Sequence, residues 1–182
     1  MGVTSEIKEY LRSDVFREEL LPQYRNFEIL SEGGLRTAVA NLLRAKLKTL
    51  SSPAEDYRVT CETRVRFPNG FRIPDVLVWK GEHPRIWVEL KDTRKFSQKN
   101  AEADWAKLKK CLEHVPSIMG GFLIYIARHD STVPGIKRDR QTMRLWPIWI
   151  ALQKDIPDFE QWNAQYRERT RYHPKKDRLG AR

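Results

Sequence analysis

Cysteine and histidine are scarce in this chain of 182 residues: two Cys, Cys61 and Cys111, and four His, His83, His114, His129 and His173. Two isolated thiols make no disulfide framework, and neither residue type recurs at the short spacings of a zinc ribbon or a helix-borne zinc site. A zinc enzyme is therefore not expected. Long hydrophobic runs are also missing: none approaches the roughly 18 to 20 apolar residues that cross a bilayer. The start, Met1-Gly2-Val3-Thr4-Ser5-Glu6, lacks a signal-peptide pattern and carries Glu where a myristoylation signal wants Ser or Thr. The expectation is a soluble, cytoplasmic chain without a membrane partner. Internal repeats and low-complexity linkers are absent too, so one domain over residues 1–182 is the economical organisation.

Charge and aromatic surface are what the chain has in quantity. Lys and Arg number 34 against 24 Asp and Glu, a formal net charge of +10, and 40% of the residues are hydrophobic, six of them Trp. A chain of this length buries roughly two thirds of the surface it exposes when unfolded, so it needs no disulfide or metal staple. Its apolar content excludes a disordered chain. The positive excess suggests an anionic partner, most simply nucleic acid, although net charge alone speaks only to solubility and non-specific attraction.

The periodicity of the apolar residues changes along the chain. From Thr4 to about Gln23, Ile7, Leu11, Val15, Phe16, Leu20 and Leu21 recur every three to four residues, which predicts one or two helices broken near Ser13-Asp14 and ended by Pro22. A clearer helix follows, with Ser31 as N-cap and Leu35, Val39, Leu42, Leu43 and Leu47 as its apolar stripe. From Tyr57 the period drops to two, predicting a strand to Phe67, a turn at Pro68-Asn69-Gly70, a strand from Phe71 to Lys80, a turn at Gly81-Glu82-His83-Pro84 and a third strand from Arg85 to Lys91. Ser97 to about His114 is again helical, and Gly121–Ala127 is a continuous apolar run, the mark of a strand covered on both faces. A charged loop from Asp130 to Thr142 leads to an apolar segment, Met143–Leu152, whose Pro147 suggests an edge strand or bulge, and to a last helix from about Pro157. The predicted fold class is α/β: a core over about 31–127 in the order helix, three strands, helix, strand, with a mixed sheet, an N-terminal helical extension (1–30) and a C-terminal strand, helix and basic tail (143–182).

Pairing the second and third strands symmetrically about the turn near Glu82 sets Asp75 opposite Glu89, Leu77 opposite Trp87 and Trp79 opposite Arg85, with Asp75, Glu89 and Lys91 on one face. Directly opposed carboxylates repel, so Asp75 and Glu89 need a cation between them. Lys91 supplies one positive charge, and a hard divalent ion supplies the rest. Mg²⁺ suits two carboxylates plus water and substrate phosphate, with the carbonyl of Leu90 as a further ligand. Such an ion polarises a phosphoryl oxygen and activates water, the two tasks of a phosphodiester hydrolase, with Lys91 orienting that water or meeting the developing charge.

Pro74-Asp75 and Glu89-Leu90-Lys91, on consecutive strands of an αβββαβ core, resemble the PD-(D/E)XK nuclease superfamily, the restriction-endonuclease-like fold. The resemblance covers a little over half of the chain. It implies a Mg²⁺- or Mn²⁺-dependent nuclease acting on nucleic acid, DNA before RNA, with Asp75 and Glu89 on the metal and Lys91 on the water. Many members add a Glu from the helix before the first strand, which implies Glu32 here, with Glu28 second. Gln98 and Asp104, on the following helix, are open candidates. Basic residues near the centre, Arg94, Lys95, Lys99, Lys137, Arg138 and Arg140, are the expected phosphate contacts, and a homodimer is left open. Two other classes stay in view: a non-catalytic nucleic-acid-binding or assembly module on the same fold, and a metal-free RNA endonuclease using His.

Overall fold

The computed structural model describes residues 2–50, 54–67, 70–129, 132–136 and 144–171. Two helices open the chain, α1 (Val3–Arg12) and α2 (Asp14–Arg25), separated by an extended Ser13 whose side chain caps the second by accepting the Phe16 N–H at 3.4 Å. Pro22 lies inside α2 rather than ending it. The missing N–H forfeits one bond of the helix, to the carbonyl four residues back, while burial of Leu20, Leu21 and Tyr24 holds the last turn in place. In α3 (Glu32–Thr49) Ser31 caps the N-terminus by accepting the Gly34 N–H at 3.1 Å, and Leu35, Val39, Leu43 and Leu47 are buried.

Five strand segments follow: β1 (Tyr57–Cys61), β2 (Val65–Phe67), β3 (Gly70–Arg72), β4 (Val76–Lys80) and β5 (His83–Thr93). The two long strands expected over 57–67 and 71–80 are thus each cut in two. Their antiparallel register is continuous, Cys61 with Val76 and Val65 with Arg72, but the ladder fails between. Glu62 there takes a left-handed φ of 50°, and Pro74 has no N–H to give. The tip becomes a separate two-stranded sheet. Between β4 and β5 the pairing of Leu77 with Trp87 is as expected, whereas a bulge after Val78 sets Trp79 against Pro84 and not Arg85. Pro84 cannot donate to the ladder, and a bulge is where a sheet tolerates that.

The chain then forms α4 (Gln98–His114), β6 (Gly120–Ala127), β7 (Leu145–Ala151), the short α5 (Leu152–Asp155) and α6 (Phe159–Arg171). The result is a mixed α/β structure with a five-stranded sheet in the order β1-β4-β5-β6-β7, antiparallel from β1 to β5 and parallel from β5 to β7. Pro147 sits in β7, at the sheet's edge. All eight residues of β6 are buried, as befits a strand covered on both faces. One face of the sheet, with Val76, Val88, Leu90, Phe122 and Ile124, packs on α1–α3 and α6. The other, with Leu77, Trp87, Leu123 and Tyr125, packs on α4. At Gly121 a Cβ would come within 2.6 Å of Leu145 and 3.0 Å of Leu112, so glycine lets α4 and β7 close on the central strand. Among the described residues no helix is long and apolar enough to cross a membrane.

This packing sets an expectation for stability. Phe122 is fully buried and stacked at 5.1 Å on Trp146, so Phe122→Ala should cost about 3–5 kcal/mol in urea unfolding. Ile73→Ser, at an exposed position of the hairpin break, should stay within about 0.5 kcal/mol of the parent.

Candidate functional site

The centre arises where one strand starts late. β4 begins at Val76 while β5 runs on to Thr93, so beyond Val88 the edge of β5 that faces β4 lacks ladder partners. The Leu90 N–H on this stretch is met by a side chain: Asp75 Oδ2 accepts it at 2.8 Å in a buried contact. Asp75 Oδ1 accepts from Arg36 Nε at 3.1 Å, and Arg36 also reaches Glu62 at 2.8 Å. An amide and a guanidinium together stabilise a carboxylate that is only 9% exposed.

Glu89 stands one residue before Leu90. Strand alternation turns its side chain to the α4 face, beside Trp87, whose indole N–H donates to Glu89 Oε1 at 2.6 Å. Burial pushes the Glu89 carboxyl up to about 7. The indole bond and Lys91 pull it down, while the nearby charges of Asp75 and Asp104 add to the rise. Lys91 continues the strand, and its Nζ lies 3.5 Å from Glu32 Oε1, with both side chains part exposed. Glu32 occupies the first turn of α3, where its charge also suits the helix dipole.

Asp75, Glu89 and Lys91 are therefore gathered at one end of the sheet, and the structure differs from the sequence expectation in the partners that they take. The cation on Asp75 is Arg36, and the ion pair of Lys91 is with Glu32. Arg36 went unnoticed in the sequence, although it lies four residues after Glu32 and so on the same helical face. Glu32 is not brought onto Asp75 and Glu89 as a third ligand, because Lys91 and the helix start already meet its charge. The backbone of Leu90 is engaged through its N–H by Asp75, and the Leu90 side chain is buried towards α3.

Asp104 belongs to the surroundings. It accepts from the Tyr125 hydroxyl at 2.6 Å, pairs with Lys107 at 2.9 Å, and borders a cleft of about 210 Å³ with Lys91, Lys95, Asn100 and Tyr125. Gln98 instead bonds Glu102 and the backbone of Gly135, and Glu28 is exposed before α3. Lys95 reaches the cleft, Lys99 is exposed on the first turn of α4, and Arg94 lines a different cavity. Lys137, Arg138 and Arg140 lie outside the described residues.

Among the described residues no three His, Cys, Asp or Glu side chains are placed to hold a metal ion. The acidic donors at the centre are two, Asp75 and Glu89. Two carboxylates suffice for Mg²⁺, which usually keeps several waters and takes the rest of its octahedron from substrate phosphate. The donor set fits a hard, hydrated cation.

The titration of Glu89 has a consequence for stability. Its carboxyl binds its proton more tightly folded than unfolded, so stability falls as pH rises from about 4.5 to about 7. At about 1.4 kcal/mol per pH unit the loss amounts to about 3 kcal/mol. In urea unfolding between pH 5 and 7.5, Glu89→Gln should remove this slope and be the more stable form at the upper end.

No protein-family model matches the chain, and no curated protein matches its sequence.

Proposed function

We propose that the protein is a metal-dependent nuclease that hydrolyses phosphodiester bonds, with DNA its first substrate, on a centre of the PD-(D/E)XK type and a restriction-endonuclease-like core. The observation that carries this reading is Glu89: a half-buried carboxylate near Asp75 whose carboxyl is held well above its usual range by desolvation, with Lys91 two residues on, in a chain of net charge +10. Acids perturbed in this way concentrate at reaction centres.

Asp75 and Glu89 would hold Mg²⁺ or Mn²⁺, which when bound supplies charge neutralisation at a phosphoryl oxygen and a water of lowered pKa. Arg36 and the Leu90 N–H hold the Asp75 carboxylate in one orientation. The indole of Trp87 does the same for Glu89. Lys91, kept at the cleft by Glu32, orients the attacking water or meets charge developing on the phosphoryl oxygens. Lys95 and Lys107 flank the acidic centre and offset its repulsion of a polyanion, which makes substrate binding weaken with salt.

Incubating the protein with a plasmid and with its linear form, with Mg²⁺ or Mn²⁺ and with chelator, decides catalysis, metal need and end dependence together. Asp75→Asn keeps an oxygen for the Leu90 N–H while removing the charge. That variant and Lys91→Ala should each lower cleavage by about 10²-fold or more, with the fold and most nucleic-acid affinity kept. A wild-type chain inactive on single- and double-stranded DNA, RNA and branched junctions with either metal would sink the proposal.

The Arg36–Asp75 ion pair favours a second reading. It neutralises Asp75 without a metal, as a non-catalytic nucleic-acid-binding or assembly module would need. Calorimetric titration with Mn²⁺ separates the two. Binding that disappears in Glu89→Gln supports the nuclease, and no binding by the wild-type chain supports the module.

A further inference from the structure

A cavity of about 320 Å³ lies between α6 and the segments that follow β5 and β6. Arg94 comes from the first segment, Arg128 and His129 from the second, and Asn163 and Arg167 from α6. Backbone bonds fix the two segments to each other: the Arg128 N–H donates to Thr93 and the His129 N–H to Arg94, both at 3.0 Å. Arg128 is held over the ring of Tyr166 at 5.3 Å. Behind it, Asp92 accepts from the hydroxyls of Tyr24 and Tyr166 at 3.5 and 3.4 Å, and its other oxygen is buried with no partner among the described residues. Asn163 is 3% exposed and lines the cavity.

The electrostatics are one-sided. His129 is faced by Arg94 and Lys95 from the segment after β5 and by Arg167 and Glu160 from α6, with the ring of Phe159 edge-on at 5.4 Å. Partial burial and then the three cations hold its imidazole below the ordinary value, with Glu160 working the other way. The cavity repels one more proton and attracts an anion.

We infer that this cavity is a binding site for a phosphomonoester group, gripped by Arg94, Arg128 and Arg167 with the Asn163 amide donating to a phosphoryl oxygen. The guanidinium fork matches phosphate oxygens in pairs. Three guanidiniums less the Asp92 carboxylate leave two positive charges, and a phosphomonoester at pH 7 carries about −1.5 to −2. A carboxylate or a phosphodiester, with one negative charge, would leave a cation unmatched. The group could end a nucleic-acid strand or belong to a small phosphorylated compound. Arg94 lies three residues past Lys91, about 10 Å of extended chain. On the nuclease reading, a strand end seated here therefore lies within a few nucleotides of the cleavage centre.

NMR of the His129 imidazole in the full chain tests the site without relying on cleavage. Inorganic phosphate, added at constant ionic strength, should give a saturable shift and move the His129 titration to higher pH. Arg94→Ala and Arg167→Ala, at exposed positions that leave the fold intact by circular dichroism, should each weaken binding about tenfold. No saturable response to millimolar phosphate, or a response unchanged in the double variant, would overturn the proposal. Oligonucleotides ending in phosphate or in hydroxyl then identify the source. A tenfold preference for the phosphorylated end assigns the site to a strand end, and equal binding alongside the phosphate response assigns it to a small phosphorylated compound. The phosphate response should persist in Glu89→Gln, so failure of the cavity and failure of the nuclease reading are separate results.

Discussion

The structure of the centre depends on one hydrogen bond, from the Leu90 N–H to the Asp75 carboxylate at 2.8 Å. A long strand that outruns its neighbour leaves backbone groups to be satisfied, and a buried orphan would be costly. Here the residue at the start of the shorter strand fills the gap with its side chain. That choice holds β4 and β5 together at their open end, places a carboxylate between Glu89 and Lys91 along the backbone, and draws Arg36 in from α3 as countercharge. The break at Pro74 belongs to the same device. Had the hairpin paired without interruption, Asp75 would be one more residue of a sheet, with its neighbours' backbone groups already engaged.

Charge is distributed around this centre in two unlike ways. On the α4 side, Asp104 meets Lys91, Lys95 and Lys107 around a cleft, and the charges of Asp104 and Lys91 reach Glu89 nearby. At the ends of β5 and β6, arginines gather with the half-buried Asp92 carboxylate behind them, and cation outweighs anion. The net charge of +10 describes neither place by itself. An average over the chain hides an acidic centre and a basic cavity that β5 and the segment after it bring within a few residues of each other.

Much of the architecture was legible because it rests on local patterning. Ser31, Ser13 and Ser97 announce helix starts through their side-chain oxygens, the stripe Leu35, Val39, Leu43, Leu47 announces a buried helix face, and Gly121–Ala127 announces a strand without a wet side. Where the local signal failed, tertiary contacts were stronger. Pro22 stays inside α2 because Tyr24 and its neighbours are buried beyond it. The hairpin splits at Glu62 and Pro74 because backbone conformations on two strands must agree, which no single window shows. The bulge that moves Trp79 from Arg85 to Pro84 has the same origin.

For the centre, the sequence by itself determined that Glu89 and Lys91 share one face of β5 and that Asp75 lies across the hairpin from them, because alternation in a strand is a property of the chain. It therefore picked out Asp75, Glu89 and Lys91 as neighbours. Only the tertiary structure decided the partners: Arg36 on Asp75, Glu32 with Lys91, Trp87 on Glu89, and His129 among arginines at the second cavity. Ion pairs and burial depend on which helix ends meet which strand ends in space, and that is settled by how the two layers of helices pack on the sheet.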